Sequence, residues 1–240
     1  MVMRRNIIFA DEIKEILLAD VVLVIAFSLT LSGGIAEFFL NSSTFAATFI
    51  GALPVAALAV TLSFILHELM HKFVAQHFGA VAGFKSSTMG LAVTLITGAF
   101  GFLLGIPGAT MIYVQSFTKR ENGLVSLAGP LTNFAIFFIF LGISFYLGYG
   151  LHPQNFIKSS YLAFAVYFTI FISILLAFFN MLPIAPLDGS KVLAWNLPIY
   201  VFTMGIIFIL IVVFQILPIS SIIYLILIAL ILSSFTRRVF

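Results

Sequence analysis

Cysteine is absent from all 240 residues. That excludes disulfides and thiolate ligands, so any metal site must be built from histidine and carboxylate. Charge is almost as scarce. Asp, Glu, Lys and Arg make up 8% of the chain, against about a quarter in a soluble globular domain. The net charge of +3 is small and its basic residues are scattered, so nucleic acid is not an expected partner. Acidic groups are few enough to count. After Glu121 the only one is Asp188.

What the chain has instead is apolar surface: 62% hydrophobic residues, with a mean hydropathy of +1.25. The apolar runs are continuous rather than alternating, the pattern of membrane helices and not of a β-barrel. We therefore expect an all-α polytopic membrane protein that is multi-pass in the lipid bilayer. A single domain is expected over residues 1–240, with a catalytic core at about 44–195. Six transmembrane helices are expected, roughly at 16–31, 44–74, 124–147, 159–182, 197–214 and 219–232. The basic start of the chain carries Asp11, Glu12 and Glu15, which argues against a cleaved signal and for a retained first span. Asp20 is expected as an interfacial charge.

The apolar run at 91–106 is broken by Gly98, Gly101 and Gly105, and charge placement decides its course. If it dips in and returns, Arg4, Arg5, Lys14, Lys72, Lys85, Lys119, Arg120, Lys191, Arg237 and Arg238 share one face. That leaves only Lys158 of the 11 basic residues opposite. A full crossing would divide them almost evenly. The positive-inside rule selects the first arrangement. Both termini are then cytoplasmic. A re-entrant element or short β element is expected between spans two and three, with a β-leaning stretch at 109–117, and the 91–117 region is where an extended peptide is expected to dock by strand addition. The same arrangement brings the end of span two and the loop around Asp188 to one side of the membrane.

Span two ends in His67-Glu68-Leu69-Met70-His71. On a helix, residues four apart share a face, about 6 Å apart along the axis, so both imidazoles can reach one ion while Glu68 stands beside it. This is the His-Glu-x-x-His zinc hydrolase pattern. With 4 histidines in the chain, chance matches are expected on the order of 0.001 times. A catalytic zinc takes about three protein ligands and a water, so a third ligand is needed. His77 has the third-ligand spacing of one zincin class, but that class needs glycine where Val74 stands. With the helix unbroken, His77 falls about 80° off and about 15 Å beyond His67. Asp188 is the other candidate, in Asn180-Met181-Leu182-Pro183-Ile184-Ala185-Pro186-Leu187-Asp188-Gly189. From the residues alone, ligand and helix N-cap are about equally good readings of Asp188.

Three patches together resemble the site-2 protease family of intramembrane zinc metalloproteases. They are His67-Glu68-x-x-His71 with Ala75 and Gly79, Gly129-Pro130-Leu131-Thr132-Asn133, and Asn180-x-x-Pro183 followed by Asp188-Gly189. The resemblance implies that His67, His71 and Asp188 hold one zinc ion and that Glu68 is the catalytic base. It also implies that Asn180 lies beside the active site as a hydrogen-bond donor to the substrate backbone or the oxyanion. Asn133 is a further candidate, with an interhelical hydrogen bond as its alternative. The implied activity is hydrolysis of peptide bonds within or next to transmembrane segments of other membrane proteins, as in regulated intramembrane proteolysis. The active-site opening is expected on the cytoplasmic side. Residues 72–123 are too short and apolar for a PDZ module, and neither PDZ nor CBS module is expected. Two rivals exist. A membrane metal-ion transporter would need ligands leading to the far side, where only Glu37, His152 and Lys158 stand. A different membrane zinc endopeptidase would need a downstream glutamate, and Glu121 is the only one.

Overall fold

The computed structural model describes residues 10–103, 105, 107–113, 116–158 and 160–215. Long apolar stretches become helices, even across Pro54 in α3 (Ser42–Val60) and Pro130 in α6 (Lys119–Tyr146), because backbone groups in lipid must be paired within their own segment. Helix α1 spans Ala10–Leu31 and turns 52° through left-handed Gly33 and Gly34 into the short α2, Gly34–Leu40. Helix α3, Ser42–Val60, passes through a π-helical turn at Thr61–Ile65 into α4, Leu66–His77. Together these form one 36-residue span, Ser42–His77, so the expected second span is present and extends further at both ends. The wide turn falls directly ahead of the histidine motif, a place where π-turns often accompany function.

Helix α6, Lys119–Tyr146, starts from a capping box. The Thr118 hydroxyl accepts the Glu121 N–H, and the Glu121 carboxylate accepts from Thr118 in return. Helix α7, Tyr161–Asn180, is capped by Ser160. A loop leads to α8, Asp188–Trp195, and then α9, Leu197–Val213. Among the described residues, three helices are long and apolar enough to cross a membrane, or four if the bent α1–α2 pair counts as one span. Helix α9 is a shorter apolar helix of 17 residues. The expected span at 219–232 lies outside the described residues, so the described part reaches three to four spans rather than six.

Between spans two and three the chain forms both a helix and a small sheet. Strands β1, Val81–Ser86, and β2, Gly108–Tyr113, pair antiparallel with Phe84 opposite Thr110 and Ala82 opposite Ile112. Helix α5, Thr88–Ala99, has 12 residues, about 18 Å of rise, too short to cross the hydrocarbon. It packs on α1 where Gly98 meets the Ala26 backbone. The short β element expected at 109–117 is therefore β2. Its partner β1 has little alternation of its own and is defined by the pairing.

Among the described residues four packed regions hold the bundle, two of them large enough to fix the site. One joins α6, α7, α8 and α9 through Phe134, Phe137, Ile170, Phe178, Val192 and Ile207. The other joins α1, the π-turn, β1 and α5 through Leu23, Phe64, Phe84 and Leu91. The large apolar side chains left outside, such as Phe138, Phe145, Phe202 and Phe208, suit lipid rather than water.

A buried ion pair ties the second region to the motif helix. Lys72, next to His71, is 1% exposed and bonds Glu12 of α1. The other Glu12 oxygen accepts the Phe84 N–H of β1 at 2.9 Å. Counted from sequence as one of the basic residues marking the cytoplasmic face, Lys72 is in the structure a fully desolvated cation. Its charge is supported by that carboxylate. Removing one member of such a pair costs about 3–5 kcal/mol. Glu12→Leu is expected to lower the unfolding temperature of the detergent-solubilised protein sharply, and adding Lys72→Met to recover part of the loss. Equal stability of Glu12→Leu and wild type would contradict this.

Candidate active site

Helix α4 presents His67 and His71 one turn apart on its buried face, at 3% and 7% exposure. Their Nε2 atoms face each other at 3.0 Å. Each outer nitrogen is engaged elsewhere. His67 Nδ1 pairs with Asn133 Oδ1 at 3.3 Å, and His71 Nδ1 with the Val125 carbonyl at 2.7 Å. Both partners are acceptors, so the Nδ1 atoms carry the protons and the Nε2 lone pairs point inward. Asn133 is itself held, its amide donating to the Ser173 carbonyl at 3.2 Å. Its two sequence readings therefore combine: it makes an interhelical bond and orients a site imidazole.

Asp188 arrives from a distant part of the chain, at the start of α8. Its Oδ2 lies 3.0 Å from His71 Nε2 and 3.7 Å from His67 Nε2, and its Oδ1 faces Lys191 at 3.6 Å. The helix cap is Leu187, which makes no side-chain capping bond, so Asp188 is the first residue of α8 and not its N-cap.

The three ligand atoms lie within 4.8 Å of one another. Bonds of about 2.0–2.1 Å in a tetrahedron set ligand atoms about 3.3 Å apart. The observed separations of 3.0 and 3.7 Å bracket that value. Two imidazole lone pairs and a carboxylate oxygen converging at this range repel one another unless a cation sits among them. The donor set, its burial and its outer hydrogen bonds all fit a metal ion.

Two glycines make the approach possible. A Cβ on Gly129 of α6 would collide with both His67 and His71 Nε2, and one on Gly189 would collide with the Met181 carbonyl where α8 folds back on the end of α7. These are positions in two of the motif patches read from the sequence.

Comparison with known proteins points to a zinc metalloprotease family. The model of Peptidase family M50 matches residues 149–212, the stretch that carries Asp188. A protein of Methanocaldococcus jannaschii named as a putative zinc metalloprotease is 41% identical over 143 residues, which are 59% of this chain and 70% of that protein. The chain belongs to peptidase family M50. This is the site-2 protease family that the three motif patches resemble. Two other relatives have the same description: YwhC of Bacillus subtilis, 27% identical over 59% of this chain and 68% of its own length, and Rip2 of Mycobacterium tuberculosis, 31% identical over 55% and 53%. No solved structure matches the chain significantly.

Within this M50 site, Glu68 is half-buried, and its Oε2 accepts two hydrogen bonds from Thr110 of β2. Asn180, the last residue of α7, donates its amide to the Leu176 carbonyl at 3.0 Å, a turn back in its own helix. His77 ends α4, which runs unbroken past Val74, and stays outside the cluster. Glu121 is spent on the α6 cap, which removes the downstream glutamate that the rival endopeptidase needs. Sequence reasoning missed Thr110 and the Val125 carbonyl. No motif marks a strand residue that meets its partner through tertiary contact, and any residue supplies a carbonyl.

Gly129→Ala is expected to abolish stoichiometric metal binding, measured by elemental analysis of purified protein, because the new methyl displaces both imidazoles. Gly142→Ala, in the same helix with open space at its Cβ, is expected to bind like wild type. Asn133→Leu is expected to weaken metal affinity about 10–100-fold, read by competition with a chelator, since it frees the His67 ring to turn.

Proposed function

We propose that this chain is an intramembrane zinc metalloprotease that hydrolyses peptide bonds within or next to the transmembrane segments of other membrane proteins, the chemistry of regulated intramembrane proteolysis. The observation that carries this reading is the convergence of His67 and His71 Nε2 with Asp188 Oδ2 in the interior of a bundle of apolar helices. Zinc is the cation that suits two imidazoles and one carboxylate, and it is the metal in the relatives' names. When bound, it supplies Lewis acidity, polarising a carbonyl and making a water easier to deprotonate.

The chain's own residues supply the rest. His67, His71 and Asp188 hold the ion, with Asn133 and the Val125 carbonyl keeping the Nε2 atoms turned inward. Glu68, next to His67 on α4, takes the proton of the attacking water and returns it to the leaving amine. Asn180 is assigned as a donor to the substrate backbone, exchanging its bond to the Leu176 carbonyl for one to substrate.

The substrate must present an extended segment, because a helix shields its own peptide bonds. A sheet edge offers the matching surface. Two outward N–H groups of β1 are taken: Phe84 donates to Glu12 and Ser86 to Glu15. Strand β2 has no strand on its other side among the described residues; on that side the Thr110 N–H is held by Glu68, which places the carboxylate at this edge. An extended peptide laid along β2 therefore passes the base. The basic-residue pattern supports termini and an active-site opening on the cytoplasmic side.

Two variants test the reading. Glu68→Gln is expected to keep one zinc per chain yet lose peptide cleavage by about 10²–10⁴-fold. Asp188→Ala is expected to lose the zinc. A zinc-replete Asp188→Ala protein, or an active Glu68→Gln enzyme, would overturn the assignment. Retained metal flux across vesicles with no proteolysis in wild type would favour the transporter.

A further inference from the structure

Glutamate has a long, freely rotating side chain, yet Glu68 is held by one residue from outside its helix. Thr110 donates its backbone N–H to Glu68 Oε2 at 3.0 Å and its hydroxyl to the same oxygen at 2.8 Å. The hydroxyl also lies 3.1 Å from the Glu68 backbone carbonyl. The amide hydrogen of Thr110 is thus directed to one carboxylate oxygen, and its hydroxyl hydrogen is shared between that oxygen, the nearer acceptor, and the carbonyl.

The strand register makes this possible. Thr110 stands opposite Phe84. The Phe84 N–H points away from β2, to Glu12. In an antiparallel pair, when one residue's amide faces outward, so does that of the residue opposite. The Thr110 amide is therefore directed out of the sheet on the α4 side, and the hydroxyl follows it. A shift of one residue would turn the amide into the β1–β2 ladder and the side chain to the other face.

We propose that Thr110 is a positioning residue for Glu68: it fixes the carboxylate between the metal ligands and the outer edge of β2, with Oε1 left to meet the water. This rests on the reading of Glu68 as the proton acceptor. A carboxylate fixed before substrate arrives needs no ordering during the reaction. The hydroxyl is the separable part of this device, because any residue at 110 other than proline keeps the amide.

The test uses the full-length, zinc-loaded protein in detergent, with a tagged single-span membrane protein that the wild-type enzyme cleaves as probe. Thr110→Val, Thr110→Ser and Glu68→Gln are compared for kcat, KM and zinc content. Valine keeps the size and strand preference of threonine without the hydroxyl. Thr110→Val is expected to lose about tenfold in kcat, with KM within twofold of wild type and zinc unchanged. Thr110→Ser is expected to restore most of kcat. Wild-type kcat in Thr110→Val, a loss confined to KM, a loss of zinc, or no rescue by serine would each overturn the proposal. If Glu68→Gln cleaves like wild type, the reading of Glu68 itself falls. If Glu68→Gln is inactive with zinc retained while Thr110→Val is unimpaired, only the role of Thr110 falls.

Discussion

Three electron-pair donors are forced together in the buried interior of the helix bundle. Two of them, His67 and His71, share one rigid face of α4, so their spacing is a property of the helix. The third, Asp188, comes from the first turn of α8. Such a cluster is unfavourable on its own account: lone pairs repel, and a buried carboxylate needs compensation. A divalent cation reverses the sign of every one of these interactions. The fold around the cluster reads as what is needed to hold donors at bonding range before the ion is counted. Gly129 lets α6 come against the imidazoles, Gly189 lets α8 turn back against α7, and Asn133 and the Val125 carbonyl set the ring tautomers.

Carboxylates do a second job at the sheet. A two-stranded ribbon has two edges, and unpaired edges invite further strands. Glu12 and Glu15 of α1 accept the outward amides of β1 at Phe84 and Ser86, and the Gln76 amide donates to the Ala82 carbonyl on the same side. That edge is closed by side chains packed into the bundle, with Lys72 supporting the Glu12 charge. The β2 edge is met by Glu68 at Thr110. The closed edge is structural and the other lies at the chemistry. This asymmetry gives a small ribbon one usable side.

The transmembrane helices and the metal motif were legible early for a shared reason. Both are local: an apolar run of span length and a repeat of four residues can be read without knowing what packs where. The same holds for the broken run at 91–106, whose glycines and flanking charges already spoke against a crossing, and which contains most of the 12-residue α5. Lys72 shows the limit. Its place in a row of basic residues marked a membrane face, but its burial depends on Glu12, sixty residues earlier, and no local pattern signals that pairing. Strand β1 and Thr110 were hidden likewise, since a strand of six residues with glycine inside acquires its identity from its partner.

The amino-acid order alone determined that this is a membrane protein, that two histidines and a glutamate share one helix, and that no thiolate can take part, because composition and helical period need no tertiary information. It left Asp188 balanced between ligand and cap and attached no partner to Glu68. Only the tertiary structure decided those points. It carried the cap to Leu187, turned the Asp188 carboxylate toward the imidazoles, and registered β2 so that Thr110 meets Glu68. The physical reason is that ligand geometry and strand register are set by segments far apart in the chain, and only packing brings them to one place.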